Sequence, residues 1–347
     1  MSLKIKRNEL LAKYSSFKIG GPAKFFAVVK TKKDLEKIFS LIKKRDLPFF
    51  VFGGGTNLLF SDKGYNGVVI KIQNQTFKIF EEKLEGRKNQ KDNSRFKIRC
   101  GAGLLLSQLI MKSIEAGFSG LEWGIGIPGT IGGAVASNCG AYGHSIAEFV
   151  VSILTIDKNG EVKKYSNKNC SFDYRTSRFK KSSNQEIIWE IELKLKKGNK
   201  KESEKIIKEI LAKRQEKFPF FPSAGSVFKN IIVDQIKNKT QILKLIPPDK
   251  IKGGKIPVGY LIEQSELKGK KIGDAQISEK HANFIINLGK AKAKDVKKLI
   301  NFAKKKVKEK FGLDLEEEII IVPRGGIEPP TQCSSGIRST TELPRRY

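Results

Sequence analysis

The chain has 347 residues, 39% hydrophobic and 30% charged, with 67 Lys and Arg against 36 Asp and Glu and a net charge of +31. That length predicts two or three domains, each with its own core. The positive charge is spread along nearly the whole chain, and Lys far outnumbers Arg, the better reader of bases and phosphates; this argues against nucleic-acid binding as the main function and for a field that gathers anionic substrates.

The patterning is regular from residue 24. KFFAVVK (24–30) reads as a strand and TKKDLEKIFSLIKKRD (31–46) as an amphipathic helix with Leu35, Ile38, Phe39 and Ile42 on one face. PFFVFGGG (48–55) is a strand running into glycines and GVVIKI (67–72) a further strand, which makes a small β-α-β-β unit. Between FKIF (77–80) and FKIRC (96–100) the charged stretch EEKLEGRKNQKDNSR predicts a surface hairpin or loop. LLLSQLIMKSIEAG (104–117) is a helix ended by Gly117. FVVSILTID (149–157) and EVKKYS (161–166) form a hairpin about Lys158-Asn159-Gly160. EIIWEIELKLKKG (186–198) alternates as a strand, and KESEKIIKEILAKRQEK (201–217) is a solvent-facing helix.

From Pro219 the character changes to the aromatic, Pro/Gly/Ser-rich FPFFPSAGSVFKN (218–230), which suits a domain boundary beside a site. VGYLIEQ (258–264), GDAQISEKHANFIIN (273–287), the helix DVKKLINFAKKKVKEKF (295–311) and the strand LEEEIIIV (315–322) complete a smaller α/β unit. After Val322 lysine vanishes and Arg, Pro, Gly, Ser and Thr replace it. Residues 323–347 read as disordered, either an ordinary flexible tail or the peptide that results when a reading frame runs into a transfer-RNA gene.

Cys100, Cys139, Cys170 and Cys333 lie far apart, with no Cys-x-x-Cys and two histidines, so a zinc site is a poor fit and reduced thiols in a cytoplasm are expected. The N-terminus has no apolar signal core and no apolar run is long enough to cross a bilayer, so no membrane partner is expected.

The densest local signal is WGIGIPGTIGGAVASNCGAYG (123–143). Its glycines leave backbone N–H groups unshielded and reach φ > 0, and Ala134, Ala136, Ser137 and Ala141 let a flat ring system approach. It reads as one wall of a large cofactor site. Gly124-x-Gly126-x-x-Gly129 matches the dinucleotide fingerprint, yet that loop must follow a buried strand and open a helix. Here AGFSGLEW is no strand and Pro128 interrupts the match. The segment suits an extended flavin-contacting wall better than a Rossmann turn.

A second glycine run, Gly53-Gly54-Gly55-Thr56-Asn57-Leu58, directly follows a strand and can cradle a diphosphate with consecutive N–H groups. A plain strand–turn is the alternative, and the glycine wall downstream favours the ligand. The expectation is two separated ribbons of backbone amides that grip one pyrophosphate. Arg175, in FDYRTSRF, can bind a carboxylate in bidentate fashion or serve an inter-strand salt bridge. Ser226, in SAGSVFKN, can donate a proton with Lys229 close by in sequence, although the residues alone favour a plain capping serine. Glu316, Glu317 and Glu318 before a buried strand usually make a solvated strand end; if one points inward, strand alternation makes it Glu318. His281, in EKHANF, is a site residue or a satisfied structural histidine, and the second reading is preferred.

The stretches SFKIGGPA, FGGGTNLLFSD, GIGIPGTIGGAVASNCGAYG, YRTSRFK, SAGSVFKN, GYLIEQ, ISEKHANFIIN and LEEEIII occur together and in order. As a set, over about residues 12–322, they resemble the UDP-N-acetylenolpyruvoylglucosamine reductase (UDP-N-acetylmuramate dehydrogenase) family. The resemblance implies an α+β chain: a vanillyl-alcohol-oxidase-like FAD-binding fold of two subdomains (1–72 and 73–216) plus a smaller α/β substrate-binding domain (217–322) ending in a strand that carries Glu318.

It implies that FAD is held by Gly53, Gly54, Gly55, Thr56, Asn57 and Leu58 from the first run. From the wall, Gly126, Pro128, Gly129, Thr130, Gly132 and Gly133 join them, followed by Ala136, Asn138, Gly140, Ala141, Tyr142 and Gly143. Arg175 and Glu318 flank the substrate carboxylate and Ser226 delivers the proton, with Tyr174, Lys229, Asn230 and Gln264 in the substrate pocket. The implied reaction is NADPH-dependent reduction of UDP-N-acetylglucosamine enolpyruvate in peptidoglycan precursor synthesis, by a monomer. NADPH over NADH is not readable from any residue. The short Arg175–Ser226 interval resembles the subgroup without an extra tyrosine-bearing loop. Ile231 stands where proline is common, Ile320 where arginine is frequent, and 233–254 looks like an insertion. Another FAD oxidase of the same superfamily and a basic nucleic-acid-binding protein are the rival readings.

Overall fold

The computed structural model describes residues 3–82, 95–181 and 186–325. The first unit opens with β1 (Ile5–Leu10), which carries no clear alternation and was not expected as a strand, antiparallel to β2 (Pro22–Val29). Helix α1 (Lys32–Arg45) starts at Thr31, whose hydroxyl accepts the Asp34 N–H while the Asp34 carboxylate accepts the Thr31 N–H. A reciprocal cap of this kind is worth about 1 kcal/mol. Strands β3 (Phe49–Phe52), β4 (Leu58–Phe60) and β5 (Tyr65–Ile72) follow, and the sheet order is β1-β2-β5-β3, with β5 parallel to both β2 and β3. Phe25, Ala27, Val29, Val68 and Ile70 face one core with Leu35 and Ile38 of α1; Phe26, Phe50 and Val69 face another. Burial of both faces is why these strands read as near-continuous apolar runs.

The second unit is antiparallel. It contains β6 (Phe77–Glu82), β7 (Arg95–Gly101), β8 (Val150–Asp157), β9 (Val162–Ser166) and β10 (Glu186–Lys194), in the order β9-β8-β10-β7-β6. The β6–β7 connection at 83–94, read as a loop, lies outside the described residues. Helix α2 (Leu106–Glu115) runs out at Gly117, where φ is +81°. The short α3 (Ile131–Ala136) lies within the glycine wall. Helix α4 (Lys200–Lys217), expected to face solvent, buries Ser203, Ile207 and Ile210 on its inner side.

In the third unit β11 (Ser223–Ser226), β12 (Lys271–Ile272), β13 (Ala275–Ile277) and β14 (Phe284–Asn287) are ordered β11-β14-β13-β12. They pack with α5 (Val258–Gln264) and α6 (Ala293–Phe311), and α6 ends at Gly312 with φ +69°. The core of this unit takes in Phe17, Ile19 and Leu59 from the first unit, so an apolar seam joins the two. The Asp62 carboxylate, from the first unit, accepts the N–H groups of Ala293 (2.7 Å) and Lys294 (3.1 Å) at the α6 N-terminus, which satisfies two amides that a helix leaves unpaired there. The insertion-like 233–254 leaves and re-enters through the paired short strands Ile231–Ile232 and Lys255–Ile256, and it tucks Val233, Ile242 and Ile246 into this core.

The last strand, β15, is shorter than expected. It spans Ile320–Val322 and runs parallel to β4 of the first unit. Glu318 therefore precedes the strand rather than lying in it. The physical reason is a change of pairing partner. Glu317 bridges Phe228 and the Glu318 N–H donates to the Val227 carbonyl of the third unit, whereas the Ile320 N–H donates to the Asn57 carbonyl of the first. Glu318 sits at that crossing. The expectation for residues 326–347 of the tail lies outside the described residues.

Candidate active site

The two glycine runs meet. The Thr56 hydroxyl donates to the Pro128 carbonyl at 3.1 Å. A Cβ on Gly53 would lie 2.1 Å from Thr130 Oγ1, one on Gly54 2.8 Å from the Gly129 Cα, and one on Gly129 2.8 Å from Thr56 Oγ1. They form one contiguous surface, not two separated ribbons, and it is this interlocking that demands glycine. Gly55, Gly126 and Gly129 have φ of +67°, +75° and +120°, conformations that cost little only without a Cβ. Among the described residues, the N–H groups of Gly53, Gly54, Gly55, Thr56 and Asn57, and those of Gly126, Gly129 and Thr130, donate to no protein acceptor. Eight uncommitted amides on adjoining loops fit the diphosphate of FAD.

Other residues assigned to the cofactor serve the wall from behind. Leu58 is buried in β4, Gly132 packs on Ala102, and the Thr130 hydroxyl caps α3 by accepting the Gly133 N–H. Both ends of the Asn138 amide are spent: Nδ2 donates to the Asp173 carbonyl (2.9 Å) and Oδ1 accepts the Ala147 N–H (3.2 Å). Asn138 thus ties the wall to the turn that carries Arg175. Gly140–Ala141 pairs with His144–Ser145 in a hairpin whose tip, Tyr142 and Gly143, has φ of +53° and +85°. Ala136 accepts the Ser177 hydroxyl at its carbonyl (2.7 Å), a second tie to the same turn, and Gly133 is exposed on α3.

Asp173 and Thr176 exchange backbone hydrogen bonds and close a two-residue loop of Tyr174 and Arg175. Arg175 has φ +56°, a left-handed conformation that costs a non-glycine residue about 1–2 kcal/mol. The strain is offset by what the side chain reaches. Nη2 donates to the Gly140 carbonyl at 2.8 Å, and Nε stands 3.1 Å from Glu318 Oε1 as an ion pair. The two side chains are 23% and 20% exposed. Burial pushes the Glu318 carboxyl above the usual carboxylate range, while Arg175, Lys180 and Lys229 pull it back. Lys180 was not singled out in the sequence, because an isolated Lys in a Lys-rich chain carries no signal. Its ammonium donates to the carbonyls of Arg175 (3.3 Å) and Glu318 (3.5 Å), and burial, with Lys229 nearby, lowers its pKa. The Asn57 amide also donates to the Glu318 carbonyl, at 3.1 Å.

Ser226 ends β11 just after Gly225 (φ +79°), where the register with β14 slips; such irregularities re-aim a side chain. The carbonyl of its neighbour Val227 accepts the Glu318 N–H, so Ser226 is one residue from the backbone contact with Glu318, and its hydroxyl has no protein partner among the described residues. Lys229 is ion-paired to Glu316. The Asn230 N–H donates to the Tyr174 hydroxyl (3.2 Å), and its side-chain oxygen accepts the Val258 N–H at the start of α5. A cavity of about 330 Å³ opens here between Tyr174, Lys229, Asn230 and Gln235, so the 233–254 segment contributes a wall to it. Gln264 is not brought to this cluster. It closes α5 at the opposite end from Val258, exposed, its carbonyl accepting from Lys310. His281 lies between Phe218 and Phe284, its Nδ1 accepting the Asn283 N–H, and burial pushes its pKa down to about 4, as a satisfied neutral imidazole requires.

A glycine-amide cradle joined to a guanidinium–carboxylate pair and a hydroxyl defines a flavin-dependent oxidoreductase. The comparisons agree. An FAD-binding domain profile matches residues 23–166, and that of the UDP-N-acetylenolpyruvoylglucosamine reductase C-terminal domain matches residues 214–322. The chain is 37% identical over 320 residues to the UDP-N-acetylenolpyruvoylglucosamine reductase of Caldanaerobacter subterraneus, covering 92% of this chain and 94% of that one. It is 40% identical to that of Fervidobacterium nodosum over 90% of each chain. The crystal structure of the Thermus caldophilus reductase superposes with a TM-score of 0.69 at 31% identity, covering 92% of this chain and 99% of the other. The chain belongs to the UDP-N-acetylenolpyruvoylglucosamine reductase family.

Proposed function

We propose that this chain reduces the enolpyruvyl group of UDP-N-acetylglucosamine enolpyruvate to the lactyl ether of UDP-N-acetylmuramate, with NADPH as the electron source. The observation that carries the proposal is the Arg175–Glu318 ion pair, with the Glu318 backbone bonded on one side to Val227, the residue after Ser226, and on the other to Asn57 of the amide cradle. FAD, held by the amides of Gly53–Asn57 and Gly126–Thr130, would supply hydride transfer between NADPH and the vinylic carbon of the substrate.

The chain's own residues do the rest. The guanidinium of Arg175, fixed by Glu318 and the Gly140 carbonyl, neutralises the charge that spreads into the substrate carboxylate as the enolate-like species forms. Ser226 quenches that species by giving its hydroxyl proton to the carbon next to the carboxylate. A free serine is a weak acid; the cations of Lys180, Lys229 and Arg175 around the site, which pull down the Glu318 pKa, favour the developing alkoxide as well. Tyr174, Lys229 and Asn230 line the cavity that would take the rest of the substrate.

No helix among the described residues is long and apolar enough to cross a membrane. The free, buried Cys100, Cys139 and Cys170 suit a reducing compartment, so we place the enzyme in the cytoplasm. The test is NADPH consumption with and without the UDP-enolpyruvyl sugar. Strict dependence on the sugar supports the assignment. Consumption driven by oxygen alone or by an alcohol substrate points instead to an oxidase of the same superfamily.

A further inference from the structure

Two guanidinium groups converge on the hairpin at Gly140–Tyr142, and only one of them is neutralised. Arg175 has the Gly140 carbonyl and the Glu318 carboxylate. Arg214, near the end of α4, has neither: among the described residues no carboxylate or carbonyl accepts from its side chain, and its buried Nε is unpartnered. Its charge lies 5.7 Å from the Tyr142 ring centroid and 5.5 Å from that of Phe218. Its Cδ occupies the space beside Gly126, where a Cβ would come within 2.7 Å. The glycine at 126 therefore makes room for this side chain as well as for a ligand. Burial makes the charged form of Arg214 costlier, and the opposing influence of Tyr142 and Cys139 does not cancel it. A partly buried cation held by two aromatic faces and left without an anion is an expensive arrangement unless a bound group supplies the negative charge.

Position along the wall says which part of a bound cofactor that is. The amide cradle for the diphosphate is at Gly53–Asn57 and Gly126–Thr130. Arg214 stands at the other side of Gly126, towards Tyr142, and Cys139 between the two arginines feels Arg175, Glu318 and Arg214 together. The catalytic pair and Arg214 thus border one space, the space that the redox-active ring must share with the substrate. We propose that Arg214 stabilises the negative charge that the cofactor ring gains on reduction. A hydride from NADPH carries two electrons and one proton, so its transfer leaves NADP⁺ and a ring with one additional negative charge; the second transfer, to the substrate's vinylic carbon, removes it. A fixed guanidinium favours the charged form and sets how readily the ring accepts and releases the hydride. The inference rests on the flavin reading above and deepens it.

The test is the two-electron midpoint potential of the holoenzyme, measured against a reference dye, for wild type, Arg214→Gln and Arg214→Lys. Arg214→Gln should weaken binding of reduced FAD relative to oxidised FAD at least tenfold, which lowers the potential by about 30 mV or more. Arg214→Lys, which keeps the charge but not the planar fork, should fall between the two. If Arg214→Gln is isolated without flavin, its dissociation constants for oxidised and reduced FAD give the same ratio, and an equal loss of both overturns the proposal. An unchanged potential with a tenfold weaker affinity for UDP or NADPH also overturns it, since Arg214 would then serve a phosphate. If Arg214→Gln does not fold, Arg214→Lys carries the test, and a potential identical to wild type with a raised NADPH KM overturns it. A wild-type protein that binds no flavin fails the proposed function itself and is distinguishable from all of these.

Discussion

Arg175 and Glu318 are 143 positions apart in sequence, yet Nε of the one lies 3.1 Å from Oε1 of the other, and each is placed by backbone geometry that ordinary residues avoid or seldom share. Arg175 is turned inward by a left-handed residue in a two-residue loop. Glu318 is held where the chain leaves one sheet and joins another. Arg175→Ala or Glu318→Gln should each lower kcat by roughly 10²–10³-fold, the scale for loss of one preorganised charge partner. Flavin reduction by NADPH, followed by stopped-flow absorbance, should stay within a few-fold of wild type. A variant slow in both half-reactions would place the pair in cofactor positioning instead.

Ser226→Ala should lower turnover about 10²–10⁴-fold, the usual worth of a general acid, again with NADPH oxidation of the first half-reaction intact. Ser226→Cys, which restores an acidic proton, should recover part of the loss. Normal turnover in the alanine variant removes Ser226 from the chemistry.

The raised pKa of Glu318 has a consequence for pH. Burial is the leading cause, so protonation of this carboxyl, which breaks the ion pair with Arg175, sets in at a higher pH than for an exposed glutamate. The acidic limb of the kcat profile should therefore lie above pH 4.5 in wild type and vanish in Glu318→Gln. An acidic limb that persists in the variant assigns it to another group.

His281 predicts a stability effect of definite sign. Its pKa is pushed from 6.5 to about 4 in the folded chain, so between those values the unfolded chain binds the extra proton and the folded one resists it. Stability must then fall as pH drops through this window, by on the order of 3 kcal/mol for complete titration. Denaturant melts at pH 7 and pH 4.5 should show a smaller drop for His281→Phe, which keeps a ring between Phe218 and Phe284. Equal drops in both proteins would contradict the assignment.

Gly129→Ala should impair FAD retention. A Cβ there meets Thr56 Oγ1 at 2.8 Å with φ at +120°, a conformation close to glycine-only. The flavin-to-protein ratio after gel filtration should fall severalfold while far-UV circular dichroism is retained. Thr56→Ala, which removes the obstructing hydroxyl, should relieve part of the defect in the double variant.

Local patterning made much of the fold legible. Period-two and period-3.6 apolar spacing located β2, β3, β5, α1, α2 and α6, because each buries a face that must repeat with its own geometry. Strand β1 was not legible: it is mostly polar and held by pairing with β2. The partner switch after Glu318 was hidden for a related reason, since LEEEIIIV reads as one strand and nothing local shows that its two halves pair with different sheets. The glycine runs announced themselves by composition, but their contact with each other depends on tertiary placement. Lys180 and Arg214 were invisible among 67 cationic residues, and only burial and the presence or absence of partners distinguish them. Gln264 was drawn in by its motif alone, and helix geometry carries it about 9 Å along α5 from the Asn230 contact.

The measurement that bears most directly on the central claim is an anaerobic titration of the purified protein followed by visible absorbance. The expected result is a yellow protein that NADPH bleaches and that one equivalent of the UDP-enolpyruvyl sugar restores to full colour. A protein that stays colourless after incubation with FAD, or one bleached by NADPH that regains its colour only with oxygen, would contradict it.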